Sequence, residues 1–96
     1  MALYITLLNW TDQGIKSIKE APDRIDAVRA LAGKHGCEMR DFYMTVGAYD
    51  MVATMEAPDD ETMAKVALKI GSAGNVRTTT LKAFPEDSFR KIVADL

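Results

Sequence analysis

Two kinds of hydrophobic spacing alternate along the chain and predict its main elements. Four stretches of β-prone residues predict strands, and they cover residues 3–9, 37–46, 49–57 and 75–84. Between them, apolar residues three or four positions apart predict one helix from about Asp23 and another from about Pro58. A short amphipathic helix is predicted after the last strand, over residues 85–96. Without that last helix, the predicted order is strand, helix, strand, strand, helix, strand.

Several element ends carry local signals. Thr11 is predicted to cap a short helical turn, and Gly36 is predicted to end the first long helix. In the second strand, Met39 belongs to one face by simple alternation, whereas Phe42 belongs to the other. A β-bulge near Arg40-Asp41 would reconcile the two positions, so a bulge is predicted there.

The stretch Gly47-Ala48-Tyr49-Asp50 predicts a hairpin between the second and third strands. Gly47 can take the positive φ that the first central position of a type II′ turn requires, and such a two-residue loop matches the twist of the strands. Val46 and Tyr49 would then face each other across the turn.

The predicted order is the split βαβ pattern of ferredoxin-like domains. It predicts an α+β fold, βαββαβ, with a four-stranded antiparallel sheet and both helices on one face. The first strand is apolar on both sides, with Leu3, Ile5 and Leu7 on one and Tyr4 and Leu8 on the other. We expect the face with Tyr4 and Leu8 to be the one that the helices leave bare. A bare apolar face favours a dimer that pairs two sheets.

Composition sets further bounds on the function. The 96 residues predict a single domain, residues 1–96. The 14 acidic and 12 basic residues give a net charge of −2 and no basic stripe, so nucleic acid is not an expected partner. No apolar run approaches the ~20 residues of a membrane span, and the start of the chain lacks the features of a secretory signal. The single cysteine, Cys37, allows no internal disulfide, which favours a cytoplasmic location.

With this order and turn, the chain resembles the GYD family, whose name comes from a glycine, tyrosine and aspartate motif. Gly47, Tyr49 and Asp50 match that motif, and the likeness continues over residues 4–8, 11–15, 58–60, 74–80 and 83–85. The resemblance implies a dimeric α/β barrel of ferredoxin-like protomers. The same superfamily contains cofactor-free monooxygenases, lactone isomerases and ligand-sensing domains. The family itself brings no established activity.

The predicted topology brings several pieces of this motif to one edge of the sheet. The end of the first strand, the start of the first helix, the hairpin turn and the start of the last strand all lie there. We therefore predict a ligand site made of Trp10, Thr11, Gly14, Lys16, Tyr49, Asp50 and Arg77.

Asp50 and Arg77 are expected to pair across the end of the first strand, and two interpretations of the pair stay open. In one, it is a structural ion pair that fixes strand ends or a dimer. In the other, Asp50 or Tyr49 is a catalytic group that transfers a proton, while Arg77 holds an anionic oxygen. Backbone N–H groups near Thr11 would add to such an anion site.

No metal or other cofactor is expected, because His35 and Cys37 are too few to form a metal site. His35 is expected to cap the first long helix. The six methionines suit a core or the wall of an adaptable apolar pocket.

Three functions stay open after the sequence analysis. The preferred hypothesis is a homodimer, or a higher oligomer, that binds a small organic molecule in a largely apolar cavity between helices and sheet, which opens near Trp10, Tyr49, Asp50 and Arg77. The alternatives are a cofactor-independent monooxygenase or isomerase, and a structural or regulatory assembly module without a ligand.

Overall fold

A computed structural model describes all residues, 1–96, and contains four strands, four α-helices and one 3₁₀ turn. The elements in chain order are β1 (Ala2–Trp10), α1 (Asp12–Lys16), the 3₁₀ turn (Ile18–Glu20), α2 (Ala21–Lys34), β2 (Glu38–Met44), β3 (Met51–Ala57), α3 (Asp60–Ser72), β4 (Val76–Ala83) and α4 (Glu86–Ala94). The sheet order is β2-β3-β1-β4, and every neighbouring pair is antiparallel. The predicted ferredoxin-like α+β fold is confirmed.

Local signals fix the ends of the helices much as the sequence predicts. Thr11 caps α1, since its Oγ1 accepts a hydrogen bond from the N–H of Gly14 at 3.1 Å. Gly36 follows α2 with a φ of +73°, a left-handed conformation that favours glycine. Asp59 caps α3 by accepting from the N–H of Thr62 at 2.8 Å.

The bulge in β2 is confirmed, but the hairpin turn differs from the prediction. The register between β2 and β3 shifts between Met39 and Asp41. At the turn, the N–H of Thr45 donates to the carbonyl of Asp50 at 2.8 Å, so residues 46–49 form a four-residue loop. Gly47 does not have a positive φ. The prediction of a two-residue type II′ turn is therefore wrong. Asp50 pairs with Thr45, and no tight turn closes between Val46 and Tyr49.

The prediction for the two faces of β1 is also wrong. Tyr4 and Thr6 are buried beneath the helices, and they pair with Met55 and Ala53 on the helix-facing side of β3. Leu8 belongs to the same side. Both sides of β1 are apolar, so alternation alone could not decide which side meets the helices.

The opposite side of the sheet, which we call the bare face, carries six large apolar residues, Leu3, Ile5, Leu7, Val52, Tyr43 and Leu81, together with the polar residues Thr54, Glu56 and Thr79. No helix covers it, and Tyr43 and Leu81 are 60% and 46% exposed. The residues of β1 on this face are half-buried within the single chain. The bare face thus combines a group of large apolar side chains with polar ones, and of the apolar side chains Tyr43 and Leu81 are open to solvent.

The packed core lies toward one end of the sheet. It joins the start of β1, the end of α2 and one side of α3 through Tyr4, Ala32, Met55, Met63 and Val66. The side of α3 that carries Met63, Val66 and Ile70 is buried there. At the other end of the sheet, near Trp10, the side chains between helices and sheet do not close together, and this leaves a cavity.

Candidate functional site

A cavity of about 230 Å³ lies between the sheet and the helices α2 and α3. Hydrophobic residues make up 16 of the 20 that line it. Its floor is the helix-facing side of the sheet, including Leu8, Trp10, Met51 and Ala53, and its walls include Ile25, Val28 and Leu31 of α2 and Met63 and Ile70 of α3. The predicted cavity between helices and sheet is present in this structure, but its predicted opening beside Tyr49, Asp50 and Arg77 is wrong, because none of these three residues lines it.

The cavity opens to solvent between α2 and α3, because its exposed lining residues, Ala27, Lys69 and Ala73, lie on or just after these two helices. Its only charged lining residues are Arg24 and Lys69. Both are basic, so their field disfavours a cationic ligand.

Arg24 is held in place by the backbone at the start of the helical layer. Its Nη2 donates to the carbonyl of Gly14 at 3.0 Å, and its Nη1 donates to the carbonyl of Ser17 at 3.1 Å. These bonds fix the guanidinium at the wall of the cavity. Lys69 forms no ion pair and is exposed.

The end of β1 is the hub of a hydrogen-bonded cluster, which we call the Trp10 edge. The N–H of Trp10 donates to Oδ2 of Asp50 at 3.0 Å. The N–H of Asp50 donates to the carbonyl of Leu8 at 3.0 Å and to Oδ1 of Asn9 at 3.1 Å. Asp50 therefore ties the hairpin loop to the end of β1.

The start of α1 packs against the loop between α3 and β4 at the same edge. The N–H of Thr11 donates to the carbonyl of Asn75 at 3.0 Å, and its Oγ1 donates to the carbonyl of Gly74 at 2.5 Å. Gln13 Nε2 donates to the carbonyl of Ala73 at 3.2 Å. Gly14 lies so close to this loop that an added Cβ would be 2.0 Å from the carbonyl oxygen of Asn75.

The expected ion pair between Asp50 and Arg77 is not formed. Arg77 is exposed and has no carboxylate within ion-pair distance, although its backbone pairs with Asn9 in the sheet. Asp50 instead accepts a hydrogen bond from the backbone N–H of Trp10, and a bond to a carboxylate is stronger than one between neutral groups. The structural and the catalytic interpretations of that pair both lose their geometric basis.

The seven predicted site residues do not form one site in this structure. Trp10, Thr11, Gly14 and Asp50 meet at the Trp10 edge. Lys16 and Arg77 are exposed, and the Tyr49 carbonyl accepts from Thr45 Oγ1 at 2.6 Å within the hairpin loop. Only Trp10 also lines the cavity. Binding of a ligand by this set stays a prediction.

Sequence reasoning did not include Thr6 among the predicted site residues. Its side chain lines the cavity, and its Oγ1 is buried without a hydrogen-bond partner. A signal was present in the sequence, since a threonine interrupts the apolar positions Tyr4 and Leu8 on that side of β1.

A second polar cluster, also missed by sequence reasoning, lies at the other end of β1. The Tyr4 hydroxyl donates to Oδ1 of Asp60 at the start of α3, and Lys82 Nζ lies 3.1 Å from the same oxygen. The hydrogen bond to Asp60, together with burial, raises the pKa of Tyr4 to about 12. The hydrogen bond from Tyr4 lowers the pKa of Asp60, and the hydrogen bond from Lys82 lowers it further. This cluster ties α3 to the sheet.

Cys37 and His35 lie at that same end of the helical layer. Cys37 is buried, and burial raises the pKa of its thiol, which makes the thiolate scarce. His35 follows the last turn of α2, and its N–H donates to the carbonyl of Ala32 at 3.0 Å.

No group of three or more His, Cys, Asp or Glu side chains is arranged to hold a metal ion. No helix in the structure has both the length and the apolar character needed to cross a membrane.

Comparison with known sequences places the chain in a family. The model of the GYD domain matches residues 4–93. A protein from Thermus thermophilus, the glutamine synthetase and cystathionine beta-lyase binding protein, is 36% identical over 86 residues. The match covers 88% of this chain and 90% of that protein.

Solved structures show the same fold. TTHA0845 from Thermus thermophilus superposes with a TM-score of 0.57 and 25% identity, over 88% of this chain and 95% of that one. MtbAldR (Rv2779c) superposes with a TM-score of 0.68 and 18% identity, over 88% of this chain. The matched region is 52% of the MtbAldR chain, so this protein spans about half of its length.

Proposed function

The chain belongs to the GYD domain family, and we propose that it is a homodimeric binding protein whose cavity between helices and sheet takes a small organic molecule. The observation that carries this proposal is the cavity of about 230 Å³ and its apolar lining. Small-molecule sites are typically concave and mostly apolar, with a few polar groups that fix orientation.

The size and charge of the cavity define the ligand class. An apolar cavity of about 150 Å³ can bind benzene, so the volume here suits roughly ten non-hydrogen atoms. The basic residues Arg24 and Lys69 favour a neutral or anionic molecule. Four of the lining residues are methionines, Met39, Met51, Met55 and Met63, whose flexible side chains adapt to different ligand shapes.

Native mass spectrometry of the protein purified from its own host tests the proposal. Ala53→Leu adds three carbon atoms at the floor of the cavity, and Ala64→Leu makes the same change at an exposed position of α3. We expect wild type and Ala64→Leu to retain a small molecule, and Ala53→Leu to lose it while staying folded. Equal ligand retention by both variants would place the bound molecule elsewhere.

The bare face supports the dimer. It carries apolar side chains on three neighbouring strands, including Ile5, Val52 and Leu81. An interface of standard size buries about 800 Å² per partner, and burial contributes ~25 cal/mol for each Å² of apolar surface. Pairing of two bare faces would remove these side chains from water.

A matched pair of leucine substitutions tests the dimer. Leu7→Glu introduces a charge on the bare face, while Leu68→Glu introduces it on the solvent side of α3, where Leu68 is 74% exposed. We expect Leu7→Glu to be monomeric and Leu68→Glu to remain dimeric by analytical ultracentrifugation at micromolar concentration, because an unpaired charge is costly to bury. Dimers of both variants would exclude the bare face as the interface.

The name of the Thermus thermophilus relative favours a second candidate function, the binding of enzymes. The apolar side of α4 gives this candidate a surface, since Phe89, Ile92 and Val93 are 58%, 49% and 48% exposed. Their spacing is that of a helix which docks into a groove. Titration of this protein with purified glutamine synthetase from its host, followed by size-exclusion chromatography, tests the idea. Complex formation that Phe89→Glu abolishes would support it, and separate elution at high concentration would contradict it.

The third function, a cofactor-independent monooxygenase or isomerase, has no supporting geometry. Asp50 and Tyr49, the candidate catalytic residues, lie outside the cavity lining.

A further inference from the structure

Thr6 is the polar side chain that the interior of the fold leaves without a partner. It is 4% exposed, lines the cavity, and has an Oγ1 with less than 1 Å² of accessible surface and no hydrogen bond. No other buried side-chain nitrogen or oxygen in the protein lacks a partner. Its neighbours across the sheet are Ala53 and Thr80, and neither bonds to it.

The other polar residues of the cavity are already engaged or exposed. Arg24 donates to two backbone carbonyls, and Oδ1 of Asn75 accepts from Gln13. Lys69 is exposed at the opening. Among the polar residues that line the cavity, Thr6 is therefore the one whose side-chain polar atom is buried and has no hydrogen-bond partner.

Stability does not explain a threonine at this position. Valine has nearly the same shape, is also favoured in strands, and would leave no buried hydroxyl unsatisfied. An unsatisfied buried hydroxyl destabilises a fold. A loss of stability from an unsatisfied buried group is typical of residues that contact a ligand, because functional sites often depart from the patterns that stabilise the rest of a fold.

A ligand can reach the hydroxyl by a small local change. Rotation about χ1 by about 120° moves the hydroxyl of threonine into the position of its methyl group and the methyl group into the position of the β-hydrogen, and strands accommodate more than one staggered χ1 position. The backbone of Thr6 stays in the sheet during this rotation, between β3 and β4.

We propose that Thr6 is the specificity-determining residue of the cavity, and that its hydroxyl bonds the one hydroxyl or carbonyl group of an otherwise apolar ligand. The inference rests on the proposed function, since it assigns the polar contact of the same cavity. It names the ligand class as small alcohols, phenols or ketones of about one ring.

The test compares two probes that differ by one hydroxyl, 4-ethylphenol and ethylbenzene, by calorimetric titration. The proteins are wild type, Thr6→Val, which keeps the shape and removes the hydroxyl, and Thr6→Ser, which keeps the hydroxyl. We expect Thr6→Val to bind 4-ethylphenol about three- to tenfold more weakly than wild type, the range of one hydrogen bond. Its affinity for ethylbenzene should be unchanged or higher, and Thr6→Ser should keep the preference for the phenol.

Each other outcome is informative. Equal preference for the phenol in wild type and Thr6→Val would overturn the role of Thr6 and leave ligand binding in the cavity intact. Failure of both probes to bind wild type would overturn both proposals together. Unfolding of Thr6→Val would mean that the hydroxyl makes a stabilising bond within the chain, and would also overturn the inference.

Discussion

Gly14→Ala should destabilise the protein strongly, because the added methyl group has no room. The new Cβ would lie 2.0 Å from the carbonyl oxygen of Asn75 and 2.9 Å from its carbonyl carbon. Both atoms belong to the backbone, so no side-chain rotation relieves the contact. The start of α1 must instead move away from the loop between α3 and β4.

The magnitude follows from the contacts that this movement breaks. Two hydrogen bonds of Thr11, to Asn75 and Gly74, span the same junction. Each contributes about 1 kcal/mol, and overpacking costs a further ~1–3 kcal/mol. Alanine regains ~1 kcal/mol through its higher helix propensity. We therefore expect a net loss of about 2–4 kcal/mol in the free energy of unfolding.

Urea unfolding followed by the fluorescence of Trp10, the only tryptophan, measures this loss directly. Gly33→Ala is the matched control, because Gly33 lies in α2 and an added Cβ there meets no atom within 4 Å. The control should be stabilised by about 0.5–1 kcal/mol. If Gly14→Ala is as stable as wild type or gains stability like the control, the close packing of α1 against Asn75 is wrong.

Two further predictions concern charged groups. The pKa of Asp60 is lowered in the folded protein, so its contribution to stability is present above its usual pKa of about 4 and is lost as the pH falls through the folded value. Asp60→Asn should therefore be less stable than wild type in urea unfolding at pH 7, and the difference should shrink toward pH 2; an equal difference at both pH values would contradict this. Asp50→Asn and Arg77→Gln should have additive effects on the free energy of unfolding, within about 0.5 kcal/mol, because no ion pair couples them. A coupling energy well above that value in the double mutant would show that Asp50 and Arg77 interact in the wild-type protein.

Local signals in the sequence predicted the features that depend on neighbouring residues. Thr11 and Gly36 fix helix ends through bonds within a few positions of the chain. The phase conflict between Met39 and Phe42 predicted the bulge, because the alternation of side chains along a strand is itself a local property. The order of elements then limited the topology to the one observed.

The features that sequence reasoning missed depend on distant residues. The face of β1 that meets the helices is fixed in part by the bond between Tyr4 and Asp60, which are 56 positions apart. Asp50 is hydrogen-bonded to the end of β1 and not paired with Arg77. The spacing of residues in the sequence does not show which of these two partners Asp50 takes. The cavity depends on how the helices pack on the sheet. The missing hydrogen-bond partner of the Thr6 hydroxyl can be recognised only once the positions of all its neighbours are known.

Methionine methyl groups offer the most direct test of the central claim, that the ligand binds between helices and sheet. Four of the six methionines line the cavity, while Met1 and Met44 are 70% and 68% exposed and lie outside it. In ¹³C-methyl NMR spectra of the methionine-labelled protein, titration with 4-ethylphenol should shift the signals of Met39, Met51, Met55 and Met63. The signals of Met1 and Met44 should stay in place. Shifts confined to the two exposed methionines, or none at saturating probe, would contradict the account.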